Sequence, residues 1–143
     1  MDDRPTALEL LRAVGDFLER DLVPAIADRR LRYQILIAVS ALRMAERELP
    51  GEDQRLRAEL VALGDLLGLS RAPVPEDTSA LRRCVLEANR ELCDRIRRGL
   101  ADQGPWRERV FRHLGAVVDA KLQITNPREL EALRAEAAKG PTA

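Results

Sequence analysis

Aromatic side chains are scarce in this sequence: one Trp, one Tyr and two Phe, 3% of 143 residues. So few rings exclude a surface built to stack bases or sugars. A single His and two Cys are too few for a metal site assembled from several imidazoles and thiolates. Net charge is missing as well, because 24 Lys and Arg balance 24 Asp and Glu. That balance removes long-range attraction to nucleic acid or anionic lipid. The longest uncharged stretch, residues 33–42, is ten residues, about half of what a membrane-spanning helix needs. The start (Met1, Asp2, Asp3, Arg4, Pro5) is polar and lacks the apolar run of a secretory leader. No Gly-rich phosphate loop, G-x-S-x-G or H-E-x-x-H motif occurs.

What remains is 45% hydrophobic and 34% charged, the composition of a folded chain rather than a disordered one. The length suits one domain spanning residues 1–143. Cys84 and Cys93 lie nine residues apart in one predicted helix. Nine steps of about 100° set them on opposite faces, so they do not bridge each other. Two free thiols and no leader predict a cytoplasmic protein. The basic residues are 22 Arg and only 2 Lys, a bias of GC-rich coding to which no function attaches.

Apolar spacing predicts five principal helices and no strands. Thr6 with Glu9 forms a capping box for the first, which runs to about residue 21. Leu8, Leu11, Leu18 and Leu22 line one face, Leu10, Val14 and Phe17 widen it, and Pro24 breaks or kinks the chain. Asp28 caps the second helix, which ends before Pro50 and Gly51. It carries two apolar seams: Leu31, Ile35, Ala38, Leu42, Ala45 and Leu49 on one side, Tyr33, Ile37, Ser40 and Met44 on the other. Such a helix is expected to be covered on both sides, either inside the bundle or against another subunit. The third helix starts near residue 52 and has a stripe of Leu56, Leu60, Leu63 and Leu67. Residues 71–78, with Pro73 and Pro75, form the longest loop and a hinge. The fourth helix begins at Thr78 or Ser79, with Leu81, Val85, Ala88, Leu92 and Ile96 inward. Pro105 opens the fifth, where Trp106, Val110, Leu114, Val117 and Ile124 share a face, and Asn126-Pro127 closes it. A short helix over residues 128–139 docks or frays. Short turns predict an antiparallel helical bundle with its core within residues 6–126.

Individual residues offer chemistry only weakly. Gly64 and Gly68 have small-x-x-x-small spacing, which in a water-facing helix allows close packing. His113 sits at the edge of an apolar stripe and reads as a hydrogen-bonded boundary residue rather than a general base. Lys121 falls within that stripe near a helix end, where its ammonium can meet the last carbonyls or serve a partner or anionic ligand. Arg83, Arg90 and Arg97 recur every seven residues, but Glu87 and Asp94 stand four residues after the first two, the pattern of a solvated face. Residues 1–70 carry 10 basic and 13 acidic groups, and residues 71–143 carry 14 and 11. Net charges of −3 and +3 make a poor phosphate footprint for a helix-turn-helix DNA reader. No catalytic residue, metal ligand or cofactor is assigned.

Three segments together resemble a small bacterial family of unknown function. They are Arg4-Pro5-Thr6-Ala7 with Glu9-Leu10-Leu11 and Phe17-Leu18; residues 38–42 with Arg47-Glu48-Leu49; and Ala120-Lys121-Leu122 with Ile124, Asn126, Pro127 and Arg128. Members of that family look like genomic companions of aminoglycoside-phosphotransferase-like kinases and acyl-CoA dehydrogenases. They include the small subunit accompanying a 4-hydroxyacyl-CoA kinase in levulinate catabolism. The resemblance implies a non-catalytic accessory subunit that binds such a kinase. Tyr33, Ile37, Ser40, Met44, Lys121, Asn126 and Arg128 are the candidate contacts. Ser40 stands where the family carries Asn, and Glu129 and Leu130 stand where an aromatic is common. The competing readings are a stand-alone acyl-CoA-binding or hydrolytic protein, a homodimer joined through the second helix, and the DNA reader.

Overall fold

The computed structural model describes residues 4–69 and 73–139, and all regular structure among them is helical. The chain divides into two compact units, Met1–Pro50 and Gly51–Ala143, each described by itself.

The first unit holds α1 (Ala7–Phe17), a π-helical turn (Leu18–Leu22), α2 (Val23–Ala25) and α3 (Arg29–Glu48). The expected capping box starts α1: Thr6 Oγ1 accepts from the Glu9 amide at 3.2 Å, and Glu9 Oε2 accepts from the Thr6 amide at 2.7 Å. Pro24 does not end the helix. The preceding turn widens so that the Val23 amide donates to the Leu18 carbonyl, and Pro24 falls in the opening turn of α2, where its missing N–H leaves no bond unmade. The helical path stops at Ile26, whose carbonyl accepts from Arg32 Nε at 3.0 Å. Asp28 caps α3 through the Arg30 and Leu31 amides, as its sequence position predicts. The two long helices run antiparallel, since Arg12 reaches Glu46 while Arg43 reaches Asp16 and Glu19.

The second unit holds α4 (Glu52–Leu67), α5 (Thr78–Arg97), α6 (Gly104–Thr125) and α7 (Pro127–Lys139). Its core joins Leu63, Leu66 and Leu67 of α4 to Val85, Ala88 and Leu92 of α5, with Ala101 and Val110. Six of these belong to the predicted stripes of the three helices; Leu66 and Ala101 do not, and Leu114 of the fifth predicted stripe stays exposed. The direction of α4 against α5 is not the predicted one. Arg82 donates to Glu52, Asn89 to Glu59 and Arg95 to the Leu67 carbonyl, at sequence separations of 30, 30 and 28. A constant separation means that α4 and α5 lie parallel. Parallel neighbours need a connection as long as the first helix. The 16 residues of α4 rise about 24 Å, and the ten residues 68–77 can reach about 33 Å when extended. Residues 70–72, which include Arg71 of the expected hinge, lie outside the described residues. α5 begins at Thr78, as the spacing predicts, and Asp77 caps it: its carboxylate accepts from the Ala80 amide at 2.8 Å.

Three side chains close the end of α4. An α-helix leaves its last carbonyls without intrahelical donors. Gly68, at φ 67°, adopts the left-handed conformation that ends the helix, and the Leu69 amide turns back to the Gly64 carbonyl. The next three carbonyls take side-chain donors: Asp65 from Arg109 at 2.7 Å, Leu66 from Trp106 Nε1 at 3.1 Å and Leu67 from Arg95 at 2.8 Å. This fixes α5 and the start of α6 against one point. As expected, Asn126 and Pro127 close α6. The Asn126 backbone carbonyl accepts from the Glu129 and Leu130 amides, so one residue ends α6 and begins α7. The short helix docks, with Leu130 buried and Arg134 reaching Asp119 of α6 at 3.3 Å.

Replacing Trp106 with Phe keeps the ring and removes the donor to Leu66. Thermal unfolding of the variant should show a loss of about 1 kcal/mol.

Candidate functional site

The seven residues singled out by sequence fall into two groups, one in each unit. On α3, Tyr33, Ile37, Ser40 and Met44 follow one another at four, three and four residues and so share a face. Tyr33 is 66% exposed and Ile37 53%; Ser40 is exposed and Met44 half-buried. Among the described residues, Tyr33, Ile37 and Ser40 of this face are uncovered and Met44 is partly covered. Within its own unit α3 is not enclosed: its one buried residue is Val39, which belongs to neither predicted seam. In the first seam Ile35, Leu42 and Ala45 are half-buried, while Leu31, Ala38 and Leu49 stay exposed. The physical reason is that α1 is the only long helix available to cover α3 in its unit. Leu8, Leu11, Leu18 and Leu22 are half-buried as that packing requires, whereas Leu10, Val14 and Phe17 remain exposed.

Lys121, Asn126 and Arg128 gather at the junction of α6 and α7 in the second unit. Asn126 has a structural task there, since its Oδ1 also faces the Glu129 amide at 3.4 Å. Lys121 and Arg128 are exposed, and the Lys121 carbonyl accepts from Thr125. His113 departs from expectation: its Nε2 is buried without a hydrogen-bond partner. Arg83 and Arg90 are exposed as the solvated-face reading requires, but the ion pairs differ. Asp94 pairs with Arg97 at 2.9 Å and Glu91 with Arg95 at 2.7 Å, while Glu87 is left out.

Sequence reasoning missed a charge cluster between α1 and α3. The Arg43 guanidinium donates to Asp16 at 2.6 Å, Glu19 at 2.9 Å and Glu46 at 3.0 Å. Arg12 holds the other face of Glu46 at 2.7 Å. Gly15, the buried residue of α1, makes room, because a Cβ there would stand 3.3 Å from the Arg43 guanidinium. Arg43 lowers the Asp16 carboxyl below its ordinary value, and Arg12, then Arg43, do the same for Glu46. The three carboxylates in turn raise Arg43, which stays charged at every accessible pH. This arrangement ties helices together.

A second feature that the sequence did not show is a cleft of about 750 Å³ in the second unit. Leu60, Val61 and Gly64 of α4, Val74 of the connection and Ala88 of α5 give it an apolar lining. Gly64 does not serve close packing, as its spacing suggested: a Cβ there would meet no atom within 4 Å. Three carboxylates, Asp65, Glu87 and Glu91, stand among the lining residues, and none of the described lining residues is basic. Glu91 is paired with Arg95. Among the described residues no group of three or more His, Cys, Asp and Glu is placed to hold a metal ion, and no helix is long and apolar enough to cross a membrane.

Two measurements check these assignments. Asp16 and Glu46 have folded values below their ordinary 3.8 and 4.5, so the stability they supply is complete above that range. It drains away as pH falls through the lowered folded values. Thermal melts from about pH 5 down to pH 2 should show this loss, and Arg43→Gln should flatten it. Separately, His113→Leu removes a buried unpaired nitrogen and should raise stability by about 1 kcal/mol in chemical denaturation.

No curated protein and no solved structure matches the chain. The sequence profile of a family described as a domain of unknown function (DUF6285) matches residues 24–129. The matched range takes in the central and Asn-Pro-Arg segments of the resemblance and begins after the N-terminal one.

Proposed function

The chain belongs to the DUF6285 family, and from that premise we propose that it is a non-catalytic accessory subunit of a phosphotransferase-fold kinase acting on hydroxyacyl-CoA metabolites in the cytoplasm. The observation that carries this reading is the uncovered apolar face of α3. Tyr33 and Ile37 stand more than half exposed, one turn apart, on a helix whose own unit covers it on one side only. An aromatic and a β-branched side chain so placed can supply the buried centre of a protein interface, where Tyr is enriched and charge is depleted. Lys121 and Arg128 are exposed cations that can orient a partner through charge-assisted hydrogen bonds. Asn126 is exposed at the α6–α7 junction, which its Oδ1 helps to hold, and stands as a further contact.

We prefer this reading to the stand-alone acyl-CoA one because the described residues around the cleft include Asp65 and Glu87 and no cation to meet the phosphates of a CoA ester. Phosphoryl transfer needs groups that cradle phosphates and a divalent metal. A kinase partner supplies both under this proposal.

Identifying the genes beside this one, and co-expressing the phosphotransferase-fold kinase that the proposal places among them, tests the reading. The two chains should co-purify, and the kinase should lose activity or stability alone. Tyr33→Glu with Ile37→Glu should weaken the complex at least about a hundredfold, since two central interface residues commonly contribute 2 kcal/mol or more each. A fully active kinase that never binds this chain would remove the proposal.

A further inference from the structure

The hairpin of the first unit has two unlike flanks. Gly15 of α1 and Val39 of α3 are its buried residues, where the two helices face each other. Counted from them at about 100° per residue, Asp16 and Arg43 turn to one flank, which the ion cluster occupies. Val14 and Ala38 turn to the other. That second flank is apolar and open: Leu31 is 46% exposed, Leu49 50% and Val14 49%, and Ala38 is exposed as well. On α3 it is the seam of Leu31, Ile35, Ala38, Leu42, Ala45 and Leu49, whose alternating steps of four and three keep heptad spacing along the whole helix. A seam of that kind suits a second helix packed at a shallow angle.

The pattern within the seam selects that helix. Turned end for end about a two-fold axis level with Ser40, the seam meets itself, with Leu31 against Leu49, Ile35 against Ala45 and Ala38 against Leu42. Inside the two ends, a small side chain always faces a large one, which fills the space between helices without voids. A parallel pairing would set Ala38 on Ala38 and Ala45 on Ala45 and leave gaps there. The edges of the seam agree. Arg32 comes level with Glu46 of the second copy and Gln34 with Glu48 of the second copy, so no like charges meet. Ala41 meets Ala41 of the second copy at the axis, where small side chains let the two backbones approach. The area suffices too. The 20 residues of α3 rise about 30 Å, and two helices each about 10 Å across give a face of about 600 Å² in plan. Its ridged accessible surface is larger than its plan and comes near the about 800 Å² that each partner gives to a standard interface.

We propose that this flank binds a second copy of the chain. The α3 helices of the two copies pack antiparallel along the seam, and Val14 of each α1 widens the buried strip, so that two hairpins make a four-helix assembly. The seam contains none of the residues assigned to the kinase contact, and the inference does not rest on that reading.

Sedimentation velocity of the full-length protein alone, across micromolar concentrations, tests it. The protein should sediment as a species of twice its 16.0 kDa chain mass. Ala38→Arg puts a charge in the middle of the seam at little cost to the helix. It should raise the dissociation constant by about a hundredfold or more while leaving the helical circular dichroism unchanged. Cross-linking reads the register independently and decides the matter should that variant lose its helix signal. In a Cys84→Ser, Cys93→Ser background, a short bismaleimide should join Ala41→Cys to its twin. Gln34→Cys lies on the same edge but about 21 Å from its twin in the antiparallel register, and should not be joined. A single-chain mass throughout overturns the proposal and leaves the seam to another protein or to the chain's own second unit. A dimer indifferent to Ala38→Arg, or Gln34→Cys joined as readily as Ala41→Cys, overturns it as well.

Discussion

The second unit depends on how the end of α4 is satisfied. Three consecutive carbonyls, those of Asp65, Leu66 and Leu67, have lost their helical donors, and an indole and two guanidinium groups replace them. Each donor comes from a different turn of α5 or α6, so all three bonds form only when both helices reach that point together. Arg95 lies near the end of α5, and bringing it to the end of α4 requires the two helices to point the same way. The parallel pair, the long connection and the cleft beside it all follow from this one requirement. Apolar burial of Leu63, Leu81 and Leu92 supplies the bulk of the stabilisation, but burial is non-directional. The polar bonds at the helix end set the direction.

The first unit is organised by the opposite balance. Its two long helices bury little, with Gly15 and Val39 the buried residues among those described. Between them stands a cation shared by three carboxylates. Such pairs, part-exposed as these are, contribute modestly to stability, but they fix register well, because Arg43 meets Asp16 and Glu19 from one position only. Two helices held mainly in this way leave apolar side chains on their outer faces, and the proposed partner contact on α3 uses that remainder.

Much of this was legible in the sequence. Thr6 with Glu9, Asp28, and Asn126 with Pro127 announce helix boundaries through local hydrogen-bond chemistry, and local chemistry can be read locally. The Leu stripes of α4 and α5 announce their buried faces for the same reason. Periodicity tells which face of a helix is inward, though not which way its neighbour runs. The relevant signal was the ten-residue connection with its two prolines, which suits a return along α4 better than a tight turn. Asp77 caps α5 because its carboxylate, one residue before the first helical position, reaches the Ala80 amide. Gly15 beneath Arg43 left no mark in the sequence, since the two are brought together only by the packing of α1 on α3. Gly64 gave a pattern that admits two opposite uses, close approach and open space, and only three-dimensional surroundings separate them. Of the candidate site, the α3 face could be drawn from spacing alone, whereas the cleft needed the parallel geometry.

The sparse burial in the first unit also shapes its response to temperature. Heat-capacity change on unfolding arises chiefly from apolar groups newly wetted, and Leu10, Val14, Phe17, Tyr33 and Ile37 are already wet in the folded unit. That unit consequently has a shallow, flattened stability curve when free. Whatever covers those side chains would steepen the curve, making calorimetric curvature an intrinsic gauge of whether they are covered.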